Sequence, residues 1–185
     1  MMNERHLFRE GQKLFRTGHP KESIGFFTEA ADAGCNPVNA YLNRGAAYIA
    51  IGEFEKAIVD FHRVLRVDED NERALYYRGI AYMKIGGFED AVTDLTKSIE
   101  LNHDRGVAFF ARSIAHAELG NTEESLRDLK TAITFSNIEV EGFMNLFGNN
   151  RTLFDKYMAL LEGDRGPLTI VLDDDVLAKA ERWIQ

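Results

Sequence analysis

Apolar residues recur at intervals of three and four over most of the chain, as they do on one face of an amphipathic helix. The apolar runs are about 14 residues long and end at a glycine or a polar turn, so they predict helices in consecutive pairs. The first helix of each pair is predicted over 4–17, 38–51, 72–85 and 106–119, and the second over 20–33, 54–67, 88–101 and 122–135.

The helix pairs repeat with a constant step of 34 residues, and a glycine lies between the two helices of every pair, at Gly18, Gly52, Gly86 and Gly120. A glycine in that place supplies the positive φ that commonly ends a helix. Four further columns hold the same register: Gly11, Gly45, Gly79 and Ser113; Leu14, Tyr48, Tyr82 and His116; Ser23, Ala57, Ala91 and Ser125; Phe27, Phe61, Leu95 and Leu129. Five columns in one register indicate a true internal repeat.

The columns of small and large residues predict how the two helices of a pair pack. Gly45 and Ala57 are small, so the helices of the second pair are expected to approach closely at this point. The large side chains of Tyr48 and Phe61 are expected to fill the space beside that contact.

Polar residues before the first helices predict where those helices begin. Asn36 followed by Pro37 is a strong start signal, since asparagine caps a helix and proline suits its first turn. In the third and fourth pairs, Asp70 and Asp104 are expected to cap the first helix.

The repeat unit itself resembles a known family. Residues 38–71 are similar to the tetratricopeptide repeat (TPR) at Tyr41, Gly45, Tyr48, Gly52, Phe54, Ala57 and Phe61. The stretches 43–45 and 57–61 are similar to a common bacterial version of that repeat. The resemblance implies an all-α, right-handed α-solenoid of four TPR helix hairpins over residues 4–137, divided into 4–37, 38–71, 72–105 and 106–137. The chain departs from the family where a proline usual near the end of each unit is replaced, by Cys35, Glu69, His103 and Asn137.

Two charged columns predict ion pairs inside the repeats. An arginine recurs at Arg44, Arg78 and Arg112, and an aspartate recurs at Asp60, Asp94 and Asp128. The first repeat has neither, since it carries Glu10 and Phe26 in their places. Because the two residue types are present or absent together, each arginine is expected to pair with the aspartate of its own repeat; the alternative is that both are solvated surface charges.

The period stops after Asn137, so residues 138–185 form a separate tail. Its sequence predicts capping helices, over 151–162 and 174–184, which close the end of a repeat array. Between them, the apolar and β-branched run 168–172 is predicted to be extended. This run could pack along the solenoid, pair with another subunit or fold back toward the groove, and the sequence does not choose among these.

Composition excludes several classes of protein. With 30 acidic and 22 basic residues the formal charge is −8, which disfavours nucleic acid and anionic membranes as partners. Cys35 is the single cysteine, so it can form neither an intramolecular disulfide nor a thiolate zinc site, and it is expected to be an apolar filler. The first ten residues lack the apolar run of a signal peptide, and no window reaches the roughly 18 apolar residues of a membrane span, so we expect a cytoplasmic protein.

The TPR resemblance implies that the first helix of each pair lines a concave groove, whose binding positions face away from the glycine and tyrosine columns. The residues predicted to form this groove are Arg5, Phe8, Arg9, Gln12, Arg16, Asn39, Asn43, Arg73, Tyr76, Tyr77, Ile80, Lys84 and Phe110. Their charged members are basic, and Glu118 is the acidic exception on the same face. Arginine binds carboxylates and aromatic rings offer flat contact area, so an acidic peptide with apolar anchors is the expected ligand. The alternative is that the tail covers the aromatic residues and the arginines are merely solvated.

A sharper family hypothesis is not supported. TPR domains that clamp the C-terminal carboxylate of heat-shock chaperones use lysine, asparagine, asparagine, lysine and arginine at set positions. The matching residues in this chain are Phe8, Gln12, Asn43, Arg73 and Tyr77, of which Asn43 alone is identical. A different anionic ligand is therefore expected.

The sequence offers no catalytic pattern. The histidines show no ligand or triad spacing with Cys35 or with a pair of carboxylates, and His116 lies in the tyrosine column, where it is expected to be a packed core residue. The run 173–175 of three aspartates is expected to cap the last helix rather than bind a cation. No enzyme activity, cofactor or metal is therefore predicted.

Two functions from different classes remain open. The chain could be an adaptor that binds a segment of another protein in its groove, or a self-assembling structural protein whose groove or tail makes homo-oligomer contacts. The sequence identifies neither the partner nor the pathway, because one fold supports many functions.

Overall fold

The computed structural model describes residues 3–134, which form eight α-helices and no strand. The helices are α1 (Glu4–Arg16), α2 (Pro20–Asp32), α3 (Pro37–Ala50), α4 (Phe54–Val67), α5 (Glu72–Lys84), α6 (Phe88–Leu101), α7 (Gly106–Glu118) and α8 (Thr122–Thr134). All eight predicted helices are confirmed, and five of them, α1, α2, α3, α5 and α7, end one residue before the predicted bound. The predictions for the tail, including the capping helices at 151–162 and 174–184 and the extended run 168–172, lie outside the described residues.

The helices form antiparallel hairpins that fall into two compact units. The first unit, Met1–Asn102, contains the hairpins α1–α2, α3–α4 and α5–α6, and the second, His103–Gln185, contains the hairpin α7–α8. Within the first unit each helix packs on its hairpin partner, and α2 packs on α3 as α4 packs on α5. The first unit is therefore a continuous stack of three hairpins.

Glycines with positive φ join the two helices of every hairpin. Gly52 has a φ of 81°, and the N–H of Glu53 after it donates to the carbonyl oxygen of Tyr48 at 2.9 Å. This turn satisfies a carbonyl that the end of α3 would otherwise leave unpaired. Gly34, between the first two hairpins, also has a positive φ, of 91°, although it lies outside the repeating glycine column.

One predicted helix start is confirmed and two are wrong. Asn36 caps α3, since its Oδ1 accepts the N–H of Val38 at 2.9 Å, and Pro37 follows as the first helical residue. Asn71 rather than Asp70 caps α5, because α5 begins one residue later in the repeat than α3 does. Asp70 instead binds Lys97 Nζ at 2.9 Å. Asp104 does not cap α7, which begins two residues later, after Arg105, without a side-chain cap.

A large side chain lies directly over the small-residue column of the first helix. Phe61 is fully buried, and a Cβ built on Gly45 would lie 2.7 Å from its Cε1, well inside van der Waals contact. The close approach is thus between the Gly45 backbone and the Phe61 ring. Tyr48 is half-buried, and Lys56 Nζ lies 5.8 Å from the centre of its ring. The same contact occurs in the first and third hairpins. A Cβ built on Gly11 would lie 2.8 Å from Phe27 Cε1, and one built on Gly79 would lie 2.8 Å from Leu95 Cγ.

The three predicted arginine–aspartate pairs are confirmed. In each, Nε and Nη2 of the arginine donate to the two carboxylate oxygens of the aspartate of its own hairpin, at 2.6–2.7 Å. The aspartates are buried, so the alternative of solvated charges is wrong. The bond to Asp60 is the main cause that raises the pKa of Arg44, and Arg44 Nη1 also donates to Thr28 Oγ1 of the preceding hairpin at 2.9 Å.

We predict opposite effects for two glycine-to-alanine substitutions inside helices. Gly45→Ala should lower the free energy of unfolding by about 1–2 kcal/mol, because overpacking against Phe61 outweighs the gain in helix propensity. Gly25→Ala in α2 should raise it by about 0.5–1 kcal/mol, since nothing lies within 4 Å of the added methyl group. Urea unfolding of the full chain measures both. A stabilising Gly45→Ala would contradict the contact described.

A second prediction concerns the buried ion pair of the third hairpin. A double-mutant cycle with Arg78→Met and Asp94→Leu should give a coupling energy of about 2 kcal/mol, because either single change leaves a buried charge unpaired. The exposed pair Arg127–Glu123 is the matched control, and its cycle should show little coupling. Equal coupling in the two cycles would contradict this account of the buried pair.

Candidate functional site

A pocket of about 460 Å³ opens where the N-terminal half of α1 faces the turn that leads into α3. Five of the predicted groove residues line it: Arg5, Phe8, Arg9, Gln12 and Asn39. Its other lining residues are Glu4, Gly34, Cys35 and Asn36. The structure thus brings together groove residues of the first and second repeats at one place.

Two guanidinium groups dominate the charge of this pocket. Arg5 and Arg9 are one helical turn apart on α1, so both point toward the same side of the helix. Both side chains are exposed, and neither has an ion pair or hydrogen bond within residues 3–134. The amide groups of Gln12 and Asn39 are likewise exposed and offer both donors and acceptors. The pocket therefore presents several donors to a bound anion.

Phe8 and Cys35 contribute to the apolar part of the pocket. Phe8 is half-buried, with its ring centre 5.8 Å from that of Phe27 in the core of the first hairpin. Cys35 lies beside it, and burial is the main cause that raises the pKa of its thiol. The thiol therefore stays protonated at neutral pH, in agreement with the expectation of an apolar filler.

Four of the pocket residues were not predicted from the sequence. Glu4 precedes the predicted basic face and brings one negative charge to the pocket. Gly34, Cys35 and Asn36 form the turn between α2 and α3, and the positive φ of Gly34 shapes that turn. The Asn36–Pro37 start signal predicts that this turn lies beside the beginning of α3. It was therefore the one feature of the sequence that could have pointed to these three residues.

The remaining polar groove residues lie outside the pocket. Arg16 is exposed at the end of α1, and Arg73 is exposed in the first turn of α5. Asn43 is half-buried, and its Nδ2 donates to the backbone carbonyl of Asn39 at 2.8 Å. Lys84 is also half-buried, and burial lowers the pKa of its ammonium group.

The predicted aromatic and aliphatic groove residues are more buried than a free groove requires. Tyr76 is 6% exposed and Ile80 is fully buried in the first unit, and Phe110 is 1% exposed in the second. Tyr77 is half-buried and stacks on Phe61 with ring centres 6.0 Å apart. Among the described aromatic residues of the predicted groove, Phe8 and Tyr77 therefore keep the most accessible ring surface.

Residues 3–134 show neither a metal-binding cluster nor a membrane-spanning helix. Residues 3–134 contain no group of three His, Cys, Asp or Glu side chains that could hold a metal ion. None of the helices α1–α8 has the length and apolar character needed to cross a membrane. His116 is half-buried rather than fully packed in the core, and burial is the main cause that lowers its pKa.

Comparison with known families agrees with this geometry. The family model of the tetratricopeptide repeat matches residues 38–71, which are the hairpin α3–α4 and the turn that follows it. A solved tetratricopeptide repeat protein from Parabacteroides merdae superposes with a TM-score of 0.67 at 26% identity, covering 86% of this chain and 63% of that one. This chain is a tetratricopeptide repeat protein.

Other TPR structures share its fold. The MamA RS-1 ArsTM double mutant superposes with a TM-score of 0.69 at 23% identity, over 89% of this chain and 98% of that chain. The second TPR of Spaghetti (RPAP3), solved with the HSP90 peptide SRMEEVD, superposes with a TM-score of 0.53 at 29% identity, over 55% of this chain and 94% of that chain.

Sequence relatives cover a shorter stretch. Sperm-associated antigen 1 of Rattus norvegicus is 30% identical over 70 residues, which are 38% of this chain and 8% of the relative. Sperm-associated antigen 1 of Mus musculus is 29% identical over 68 residues, which are 37% of this chain and 8% of the relative. The matched part of this TPR protein thus spans less than a tenth of the length of these relatives.

We predict that Cys35 reports on the pocket through its alkylation rate. The rate with iodoacetamide should reach half its maximum at a higher pH in the folded chain than in the same chain in urea, because burial raises the thiol pKa and less thiolate is present at a given pH. Mass spectrometry of the full chain measures both profiles, since Cys35 is its single cysteine. Identical profiles would contradict burial of the thiol in the pocket wall.

Proposed function

We propose that this protein-interaction scaffold binds an acidic segment of a partner protein, and that the pocket around Arg5 and Arg9 holds its carboxylates. The observation that carries the proposal is that these two guanidinium groups, on one side of α1, have no partner within residues 3–134. In contrast, the arginines Arg44 and Arg78 are used in structural ion pairs.

The chemistry of the pocket suits a carboxylate. The planar guanidinium group can donate two parallel hydrogen bonds to the two oxygens of a carboxylate. Gln12 and Asn39 can complete the binding of the peptide backbone, because an amide both donates and accepts. The first turns of α1 and α3 add the partial positive charge of a helix N-terminus.

Apolar anchors would add contact area next to this charge. Phe8 presents its ring in the pocket, and Tyr77 presents a ring supported from below by Phe61. Aromatic side chains that are held by the core bind with little loss of conformational entropy, so they are effective anchors for apolar residues of a ligand. An acidic peptide that also carries leucine or a similar residue fits both features.

A TPR neighbour supports the ligand class. The second TPR of Spaghetti was solved with the HSP90 peptide SRMEEVD, whose letters include two glutamates and an aspartate. The positions that clamp such a peptide hold Phe8 and Tyr77 in this chain, so the same peptide is not the ligand that we propose. The proposal extends to an acidic segment in general.

We predict that reversing the charges of Arg5 and Arg9 strongly weakens binding of an acidic peptide. Arg5→Glu combined with Arg9→Glu should weaken the affinity for a labelled decapeptide of aspartate, leucine and serine at least roughly tenfold, because attraction at the pocket becomes repulsion. Fluorescence anisotropy in about 0.15 M salt measures the affinity, since distant charges are largely screened under that condition.

The matched control reverses two exposed basic residues elsewhere in the first unit. Lys21→Glu with Arg66→Glu, on α2 and α4, changes the net charge by the same amount and should alter the affinity by less than about twofold. Equal losses in both double variants would indicate a general charge effect and contradict a pocket-specific site.

Self-assembly is the second candidate function, and exposed apolar residues favour it. Val59 and Val67 on α4 are 50% and 65% exposed, and Ile51 and Ile85 are exposed at equivalent turns of two hairpins. Light scattering of the full chain at several concentrations distinguishes the candidates: a mass that rises with concentration, and that Val59→Ser and Val67→Ser return to the monomer value, supports assembly through this surface.

A further inference from the structure

Three exposed polar residues occupy one column of the repeat in the first unit. Arg5, Asn39 and Arg73 are separated by the repeat step of 34 residues, and each lies in the first turn of its helix, α1, α3 and α5. All three are exposed. In the second unit the corresponding residue, Val107, is apolar and buried, so the polar column is confined to the first three hairpins.

The two arginines of this column have no structural task in the described residues. Neither Arg5 nor Arg73 makes an ion pair or a hydrogen bond within residues 3–134, whereas Arg44 and Arg78 each bind a buried aspartate. Arg5 and Asn39 line the same pocket, which places the first two members of the column beside each other. The column therefore has a cationic group at each end and an amide between them.

The spacing of the two cationic groups follows from helix packing. The first helices of successive hairpins touch directly at a few residues, α1 against α3 and α3 against α5. Helices in contact lie about 8–10 Å apart, so two such steps separate Arg5 from Arg73 by roughly 16–20 Å. An extended peptide advances about 3.3 Å per residue, so this distance corresponds to five or six residues. Because side chains of an extended chain alternate between its two sides, an even separation is needed for two side chains to face the same surface. A separation of six residues satisfies both the distance and the requirement for an even number.

We propose that this column selects partner segments in which two acidic residues stand six positions apart, one bound by Arg5 and the other by Arg73. The amide of Asn39 binds the backbone of the segment between them. The positive ends of the α1 and α5 dipoles reinforce both anchors, since each arginine lies in a first turn. The proposal rests on the proposed function and adds a rule for which acidic segments bind.

The experiment compares peptides of one composition that differ in spacing. Labelled peptides of twelve residues carry two aspartates separated by four, five, six or eight positions in a background of serine, alanine and one leucine. Fluorescence anisotropy with the full chain should give the tightest binding at a separation of six, by roughly tenfold over a separation of four or eight. A separation of five should bind weakly, because its second aspartate faces away from the surface.

Variants assign the spacing preference to the column. Arg73→Gln should reduce binding of the six-spaced peptide to the level of the others and so remove the preference, and Arg5→Gln should do the same. Arg66→Gln, an exposed arginine at the end of α4, should keep the preference. Circular dichroism confirms that each variant is folded, which is expected because the substituted side chains are exposed.

Three results would overturn the proposal. Equal affinity at every separation would reject the spacing rule while leaving the proposed function in place. A preference for six that persists in Arg73→Gln would show that other residues set the spacing. Absence of binding at every separation would reject this proposal and the proposed function together.

Discussion

Close contact between a glycine backbone and a large buried side chain governs how the hairpins of this protein are built. At Gly45 the ring of Phe61 occupies the space where any other residue would carry a Cβ, at a distance of 2.7 Å from that position. The two helices can therefore come close enough to bury the ring completely. The same relation holds Gly11 against Phe27, and it fixes the face that each first helix turns inward. Arg5 and Arg73 lie away from this contact and are exposed.

Buried ion pairs add directional contacts to this nonpolar packing. Each of Asp60, Asp94 and Asp128 accepts two hydrogen bonds from the arginine of the same hairpin, so each pair sets the rotation of one helix against the other. The cost of burying the carboxylate is offset because both of its oxygens are bound. A protein that is acidic overall thus uses three of its arginines, Arg44, Arg78 and Arg112, for ion pairs inside the hairpins.

The repeat register predicted the helices and the ion pairs, because both depend on contacts within one period. The repeat register was a poorer guide to helix starts and turn conformations, which differ from one repeat to the next. Asp70 and Asp104 share a column, yet neither caps a helix, since α5 and α7 both begin one residue later in the repeat than α3 does. Gly34 lies in a turn whose equivalents in the next two repeats have negative φ. The pocket is built partly from that turn, so Cys35 and Asn36 could be found only in three dimensions.

The hydrogen bond from Arg44 to Thr28 has a consequence for the stability of the first hairpin. The first hairpin lacks the buried arginine–aspartate pair of the other hairpins, and Arg44 of the second hairpin donates to Thr28 of the first at 2.9 Å. In a repeat array, the stability of a unit is the sum of its own contacts and those with its neighbours. The first hairpin therefore depends on the second for one of its polar contacts, and loss of that contact is expected to lower the stability of the first hairpin most. The pocket is lined by residues of both these hairpins. A ligand bound there would therefore add a second contact that stabilises the first hairpin against the second.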